Sequence, residues 1–510
     1  MVSFTTSLVA VLHLATLSFT QLTGPVGVTT PLHEKTHECN ILYYGGVANN
    51  RTDVAPAITR AFEECVLHHP KSRLIVPPGS YLLKQSIVLS NGTNWAFQLD
   101  GLITAEYIGN TSTAYTVKRD LILQGYAGVE PLNSTINGEG DGKFLQNLIV
   151  IVNGKSAVPG ALRKSPTLVA VDFELYSENG LGAIQGQGYL YRLSGNTNRP
   201  RMLRLISPIN TTVHDLILVD SPKFHFVFDF AENTEVYHLT IRGANLGSYD
   251  GIDAIGTNYH VHDNEVTNRD ECVSVKSPSH HALVENQVCN RVGSGISIGS
   301  LNVSAEISNI HARNISVLAA SEIVFIKTYP GGSGYVTNVT WENFRSKACL
   351  YGLNLNQYWQ QTFTPDTGAV ALSNITFRNF SGGIADGTLR PALYMFASDL
   401  IPAENITVED FTVWTESSDY VKNQISNIYG TGDDSYGTNE IPILAAGETP
   451  TVYTSTYTIT TPPAGWTVPP DPAWAAPSTG WGTTDPIPVY TPAPLWKPQG
   501  DYDKHYWGSF

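Results

Sequence analysis

Charge is scarce in this chain of 510 residues, and basic charge is scarcest: 30 Lys and Arg against 45 Asp and Glu leave a net charge of −15. Clustered cations are what hold phosphate backbones and anionic lipid surfaces, so this balance excludes nucleic acid or an anionic membrane as the natural partner. Long apolar runs are missing as well. The stretch Leu8 to Phe19 is too short to span a bilayer. Followed by Thr20-Gln21, it reads as the apolar core and cleavage region of a secretory leader over residues 1–20, with no Lys or Arg ahead of it. Cysteines are few: Cys39, Cys65, Cys272, Cys289 and Cys349. Their spacing fits no common zinc pattern, so neither a metal nor another cofactor is expected. In an oxidising compartment Cys39–Cys65 and Cys272–Cys289 are the simplest local bridges, with Cys349 left over.

What the chain has in abundance is N-x-Ser/Thr. The sequons stand at Asn50, Asn91, Asn110, Asn133, Asn210, Asn302, Asn314, Asn338, Asn374, Asn379 and Asn405. Such density points to a secreted, extracellular glycoprotein.

Asp53 to Cys65 reads as one helix, with Asp53 as N-cap and Val54, Ala57, Ile58, Ala61, Phe62 and Cys65 on its apolar face. From Arg73 onward the pattern changes to short β-branched runs broken by Gly, Asn and Asp. A loose repeat emerges as TTVHDL, TEVYHL, YHVHDN, HALVEN, IHARNI, VTWENF, ITFRNF and ITVEDF, starting at 211, 234, 259, 281, 310, 339, 375 and 406. Steps of this size mark stacked units, none able to bury its apolar face alone. An all-β parallel β-helix, its N-terminal end capped by the helix, fits best. An Ig-like array or a propeller would instead show regular two-residue hairpin turns. The stack is expected to fill residues 21–430, with an insertion over 125–163. The Thr-, Pro- and Trp-rich extension 431–510 is expected to pack its aromatics back onto the coils.

Stacked coils set residues from distant sequence about 4.8 Å apart. Measured from the coil starts, Asp250, Asp270, Ser294 and Lys327 fall on one face of four successive coils. The motifs there are SYDGID (Asp250, Asp253), RDECVSVK (Asp270, Glu271, Lys276), VGSGISIGS (Gly293, Ser294, Gly295) and VFIKTY (Lys327). Acidic residues fill turns throughout β-helices, but several carboxylates in one cleft also push at least one pKa upward, giving a proton donor beside ionised bases. Glycoside hydrolysis asks for that pair. His260, His262, His280 and His281 alternate along strands and read as solvent-facing positions without chemistry.

The order D-G-x-D, D-[DE]-C-x-x-V, G-x-G-x-x-x-G-S and x-I-K resembles the glycoside hydrolase family of polygalacturonases and rhamnogalacturonases, over about residues 39–420. Where polygalacturonases carry N-T-D, D-D, G-H-G and R-I-K, this chain has Ser248-Tyr249-Asp250, Asp270-Glu271, Gly293-Ser294-Gly295 and Phe325-Ile326-Lys327. These departures resemble the fungal rhamnogalacturonan hydrolase branch, as do CNILYYGGVANNRTDVAPAIT and the segment around Asp215. The resemblance implies a right-handed β-helix and a monomer acting on a pectic polysaccharide. It further implies an inverting endo-hydrolase of galacturonate-rhamnose linkages, with Asp270 as general acid and Asp250 and Glu271 activating water. Lys327 and Lys276 would bind a substrate carboxylate, and Asp253 would assist binding. An exo-acting, xylogalacturonan- or polygalacturonan-cleaving hydrolase, a β-helical pectin lyase and a non-catalytic carbohydrate-binding β-helix are the competing readings.

Overall fold

The computed structural model describes residues 21–107, 147–152, 172–197, 199–360, 367–385, 391–417, 420–432, 444–445, 447, 453–457, 462, 466–469 and 477–488. The expected leader, Asn110 and Asn133 lie outside them. Strand after strand pairs in parallel with the one a full coil later, giving a β-helix whose three sheets run along the coil axis. The first sheet includes Arg201–Ile206, the opening halves of Phe226–Tyr237, Ile252–His262 and Val273–Glu285, then Ser294–Leu301, Glu322–Thr328, Tyr351–Asn356 and Leu393–Phe396. The second sheet takes the closing halves of the same long strands, and short strands such as Thr240–Arg242 and Glu265–Thr267 make the third.

The repeat read from sequence is the register of the second sheet. Thr211, Thr234, Tyr259, Ala282, Ile310, Val339, Ile375 and Ile406 are consecutive rung partners. Only the fourth start moves, from His281 to Ala282, because the inward residue that defines the rung is Val284, in line with Val213, Val236 and Val261. Those valines belong to one continuous buried core. Toward the C-terminal coils the same inward row widens to Trp341 and Phe377, stacked at 5.0 Å.

Helix Ala55–Glu64 closes the N-terminal end, burying Ala57, Ile58, Ala61 and Phe62. Asp53 does supply a cap, its Oδ1 accepting from Ala55 N at 3.1 Å, although Val54 holds the formal cap position. Phe62 lies 4.9 Å from Trp95, so the helix covers an apolar edge that would otherwise meet water. The Cys39–Cys65 bridge ties the helix end to strand His37–Asn40.

One expectation about connections changes. Asn147–Val152, assigned to an insertion, is a rung that pairs Ile87–Ser90 and Arg201–Ile206. The remainder of 125–163 lies outside the described residues. The extension does return to the coils: Tyr453–Tyr457 pairs antiparallel with Val421–Ser426, Trp466 meets Trp414 edge-on at 4.6 Å, and Ile487 packs with Ile217 and Val219.

A second strap comes from the other end of the chain. Residues 21–30 cross the coils rather than joining them: the Gln21 amide donates to Asn309 O, Thr23 N to Asn258 Oδ1 (2.8 Å), and Gly27 N to Asn233 O (2.9 Å). Thr29 N and Thr30 N then both donate to Asp172, at 2.9 and 2.8 Å. Just beyond, the buried Lys35 ammonium pairs with Glu174 at 3.4 Å.

Candidate active site

Turns leading into the first sheet deliver Asp250, Asp270 and Glu271, and the strands themselves deliver Asp253, Lys276 and Lys327. The nearest carboxylate oxygens of Asp250, Asp270 and Glu271 all lie within 4.8 Å of one another. Lys276 Nζ reaches Asp250 at 3.4 Å and Asp253 at 3.5 Å, and Lys327 Nζ pairs with Glu271. The six residues named from sequence therefore meet in one place. Ser294 does not join them; it is buried, and its carbonyl accepts from Cys272 N at 2.9 Å.

Local backbone chemistry sets the donor. Asn268 Oδ1 accepts from Asp270 N at 3.0 Å, while its amide donates to the carbonyls of Tyr249 (2.9 Å) and Glu271 (3.0 Å), clamping the turn. Asp270 in turn accepts from Tyr249 N at 3.0 Å and Glu271 N at 2.9 Å. Gly293 packs directly beneath, and a Cβ there would come within 3.0 Å of Asp270 Cα. A side chain at 293 would thus displace the acid. The Cys272–Cys289 bridge fixes the residue after Glu271 to the following coil.

Four carboxyl groups face two ammonium groups, and the imbalance is resolved with protons. Burial and the Asp250 charge push Asp270 up to about 7, against the pull of both lysines and the Tyr249 N–H. Burial and Asp250 also raise Asp253 well above the ordinary carboxylate range. Burial acts on Asp250 in the same sense, but Lys276, Lys327 and the hydrogen bond from Asp253 outweigh it and hold Asp250 below its usual value. Lys276 keeps its charge, since Asp253, Asp250 and Asp270 overcome its burial. A protonated carboxyl beside an ionised one is a matched acid and base at neutral pH.

Supporting residues that the sequence reading passed over cluster around Asp250 and Tyr249. His225 is fully buried, its Nδ1–H directed at Asp250 O (3.0 Å), and burial pushes its pKa down to about 4, so it acts as a neutral brace. The Arg192 and Arg199 guanidinium groups lie 4.6 and 5.0 Å from the Tyr249 ring centre. Arg192 also pairs with Asp220 and donates to Gly482 O of the returning extension. His225 stands in Lys223-Phe224-His225-Phe226, where nothing in the local sequence signals that it reaches the next coil.

Three groups among the described residues have metal-compatible spacing, and in one of them, His37–Cys39–Cys65, both sulfurs are already joined in the Cys39–Cys65 bridge. In the Asp250–Asp270–Glu271 set, Lys276 and Lys327 already supply the positive charge a cation would bring. The third set is Glu235, His260 and His262 on the second sheet. There His262 has Asp263 at 2.6 Å and Glu235 at 3.2 Å on its two nitrogens, and these carboxylates outweigh burial to raise it to about 9. That is an imidazolium held by ion pairs. His260, expected at the solvent, is buried against Glu285 at 2.9 Å, because the neighbouring rungs stack over it. His262, His280 and His281 are partly exposed.

Residues 70–431 match the profile of glycosyl hydrolases family 28. The chain belongs to this family. It is 38% identical over 473 residues to rhamnogalacturonase A of Aspergillus niger, covering 92% of this chain and 91% of that protein. Rhamnogalacturonase A of Aspergillus aculeatus is 36% identical over 473 residues, covering 92% of each. Among solved structures, the endo-xylogalacturonan hydrolase of Aspergillus tubingensis superposes with a TM-score of 0.55 at 20% identity, covering 74% of this chain and 93% of that one. The exopolygalacturonase of Thermotoga maritima gives 0.59 at 16% identity, covering 79% and 92%. These neighbours share the right-handed β-helix. As a family 28 member the protein is a glycoside hydrolase of pectin-degrading type. No helix among the described residues is long and apolar enough to cross a membrane.

Proposed function

We propose that the protein is a secreted, inverting endo-hydrolase of galacturonate-rhamnose linkages in rhamnogalacturonan. The observation that carries the chemistry is the Asp270–Asp250 pair, one carboxyl held protonated near neutrality and the other held ionised within reach of it. Asp270 gives its proton to the glycosidic oxygen as the bond to the anomeric carbon breaks. Water attacks that carbon from the opposite face, its proton passing to Asp250 or Glu271. Lys276 keeps Asp250 anionic, Lys327 holds Glu271 in place, and the protonated Asp253 carboxyl donates a hydrogen bond to Asp250, fixing the orientation of the base.

A nearest approach within 4.8 Å is closer than the roughly 6.5–9.5 Å usual for inverting pairs. Inversion is supported here by the family pattern and by the presence of three carboxylates, which leaves two to bind the attacking water after one is committed as acid. The substrate choice draws on the rhamnogalacturonase relatives. The extracellular reading draws on the disulfides and sequons: Asn210 is half-buried and every other sequon within the described residues is exposed. Digestion of de-esterified rhamnogalacturonan in parallel with homogalacturonan, followed by NMR of the newborn anomeric centre, tests the proposal. New reducing ends of inverted configuration and an early fall in viscosity are expected on rhamnogalacturonan. Cleavage of homogalacturonan alone, a retained configuration, or unsaturated ultraviolet-absorbing products would each overturn part of it.

A further inference from the structure

The outward row that carries Asp253 continues past the acidic cluster. In register it runs Val227, Asp253, Ser274, Ser297, Phe325, Asn354 and Tyr394. Val324, Ile326, Leu353, Leu355, Leu393 and Met395 fill the core, so strict alternation turns Phe325, Asn354 and Tyr394 outward. Ser297 and Ser274, bonded to each other at 2.8 Å, form a low polar floor beside the carboxylates. Beyond them the row becomes aromatic, with Phe325 buried and Trp359 and Tyr394 partly exposed. Trp359 stands edge-on to Phe325 at 5.1 Å, and the Lys327 ammonium that pairs with Glu271 lies 5.3 and 5.4 Å from these two ring centres. One rung past Asn354, Tyr394 approaches Phe396 at 4.6 Å and Tyr351 at 5.7 Å.

Asn354 sits between the two aromatic groups. It is 6% exposed, and its Oδ1 accepts no hydrogen bond among the described residues. A buried amide oxygen in that state is unfavourable unless a ligand donates to it. On the other side of the carboxylates, toward the earlier coils, the groups are cationic, with Arg199 over the Tyr249 ring and bonded to its hydroxyl. The cleft is therefore chemically polarised along the coil axis.

We infer that Phe325, Trp359, Asn354 and Tyr394 form a subsite for a 6-deoxyhexose, the rhamnose unit of the backbone, on the C-terminal side of the carboxylates, while the Arg199 side takes galacturonate. This rests on the rhamnogalacturonan reading above. A 6-deoxy sugar has a methyl group where galacturonate has a carboxylate, and its apolar edge suits aromatic rings. Its hydroxyls supply the donor that Asn354 Oδ1 lacks. A carboxylate on these rings would be desolvated beside an ammonium whose charge Glu271 already offsets.

Kinetics on rhamnogalacturonan oligosaccharides and ligand-observed NMR with methyl α-L-rhamnoside and methyl galacturonate test the assignment. Trp359→Ala and Asn354→Ala are expected to raise KM by about tenfold or more with little change in kcat, as loss of a buried polar or aromatic contact does. Trp359→Phe should retain most of the affinity, and Arg199→Ala should weaken galacturonate alone. Rhamnoside saturation transfer should vanish in Trp359→Ala. If wild type cleaves rhamnogalacturonan while both alanine variants keep its KM and fold normally, the subsite is wrong and the activity stands. If wild type cleaves only homogalacturonan, the activity reading is wrong, and an absent rhamnoside signal in wild type then overturns the subsite as well. Should Asn354→Ala fail to fold, Trp359→Ala decides by the same measures.

Discussion

The outer faces of the first and second sheets are built from the same coils at the same rung spacing, yet they handle charge in opposite ways. On the second sheet one outward row runs Tyr176, His214, Tyr237, His262, Glu285, Arg313, Glu342, Arg378 and Glu409. Its rings stack at 5.5, 4.8 and 5.0 Å, and its charges alternate so that Glu285 meets Arg313 at 2.5 Å and Arg378 meets Glu342 at 2.9 Å. Every carboxylate named in that pairing has a cation. On the first sheet four carboxyls share two lysines, and the shortfall is met by protons that can leave. Compensated charge gives a wall; uncompensated charge gives an acid.

The strongest way to break this contrast is Asp270→Asn. Loss of a general acid should lower kcat by about 10²–10⁴-fold, with oligosaccharide binding retained in a titration. The same variant carries a stability signature. Asp270 holds its proton up to about 7 when folded, so between its ordinary range near 4 and that value the unfolded chain has released a proton the folded chain keeps. Wild-type stability should fall as pH rises through that window. The melting temperature of Asp270→Asn relative to wild type should therefore climb from pH 4 to pH 7.

Replacing both Cys272 and Cys289 by Ser should cost about 3 kcal/mol in denaturant unfolding, by loss of a cross-link in the unfolded chain. Glu285 tests the opposite sign on the second sheet. Burial raises it, but His260 and Arg313 prevail and hold it down at about 2. Its contribution is present above its ordinary value near 4.5 and fades as pH falls toward 2. Glu285→Gln should lose on the order of 2 kcal/mol at pH 7 and little near pH 2, read by calorimetry. Next in size, Lys276→Met removes a cation beside Asp250 and Asp270. Both carboxyls should titrate higher, moving the acid limb and the basic limb of the kcat/KM profile upward together. Smallest is Glu342→Gln, a partly exposed pair worth less than about 1 kcal/mol.

Inward positions were readable from the sequence because they obey one rule, an apolar residue at each rung, and so the coil register emerged from strings such as TTVHDL and YHVHDN. The six charged residues of the cleft were readable because unusual local density, Asp270 beside Glu271, drew attention to them. Asn354, Trp359 and Tyr394 offered no such density. They come from coils separated by loops of unequal length, and only the register of Phe325 with Asn354 and of Asn354 with Tyr394 brings them together. His225 and the buried state of His260 were hidden for a related reason, since each depends on a group one coil away.

The strap at residues 21–30 has a kinetic meaning. A coil stack is close to one-dimensional, each unit touching only its neighbours, and such arrays can fray or pause at any coil. This segment contacts sites up to 288 residues further along the chain, from Asp172 to Asn309. The docking surface of this segment is therefore complete only once the coils from Asp172 through Asn309 have been wound. The strap can seat fully only when those coils are in register, so it latches the middle of the solenoid across units that otherwise touch only their neighbours.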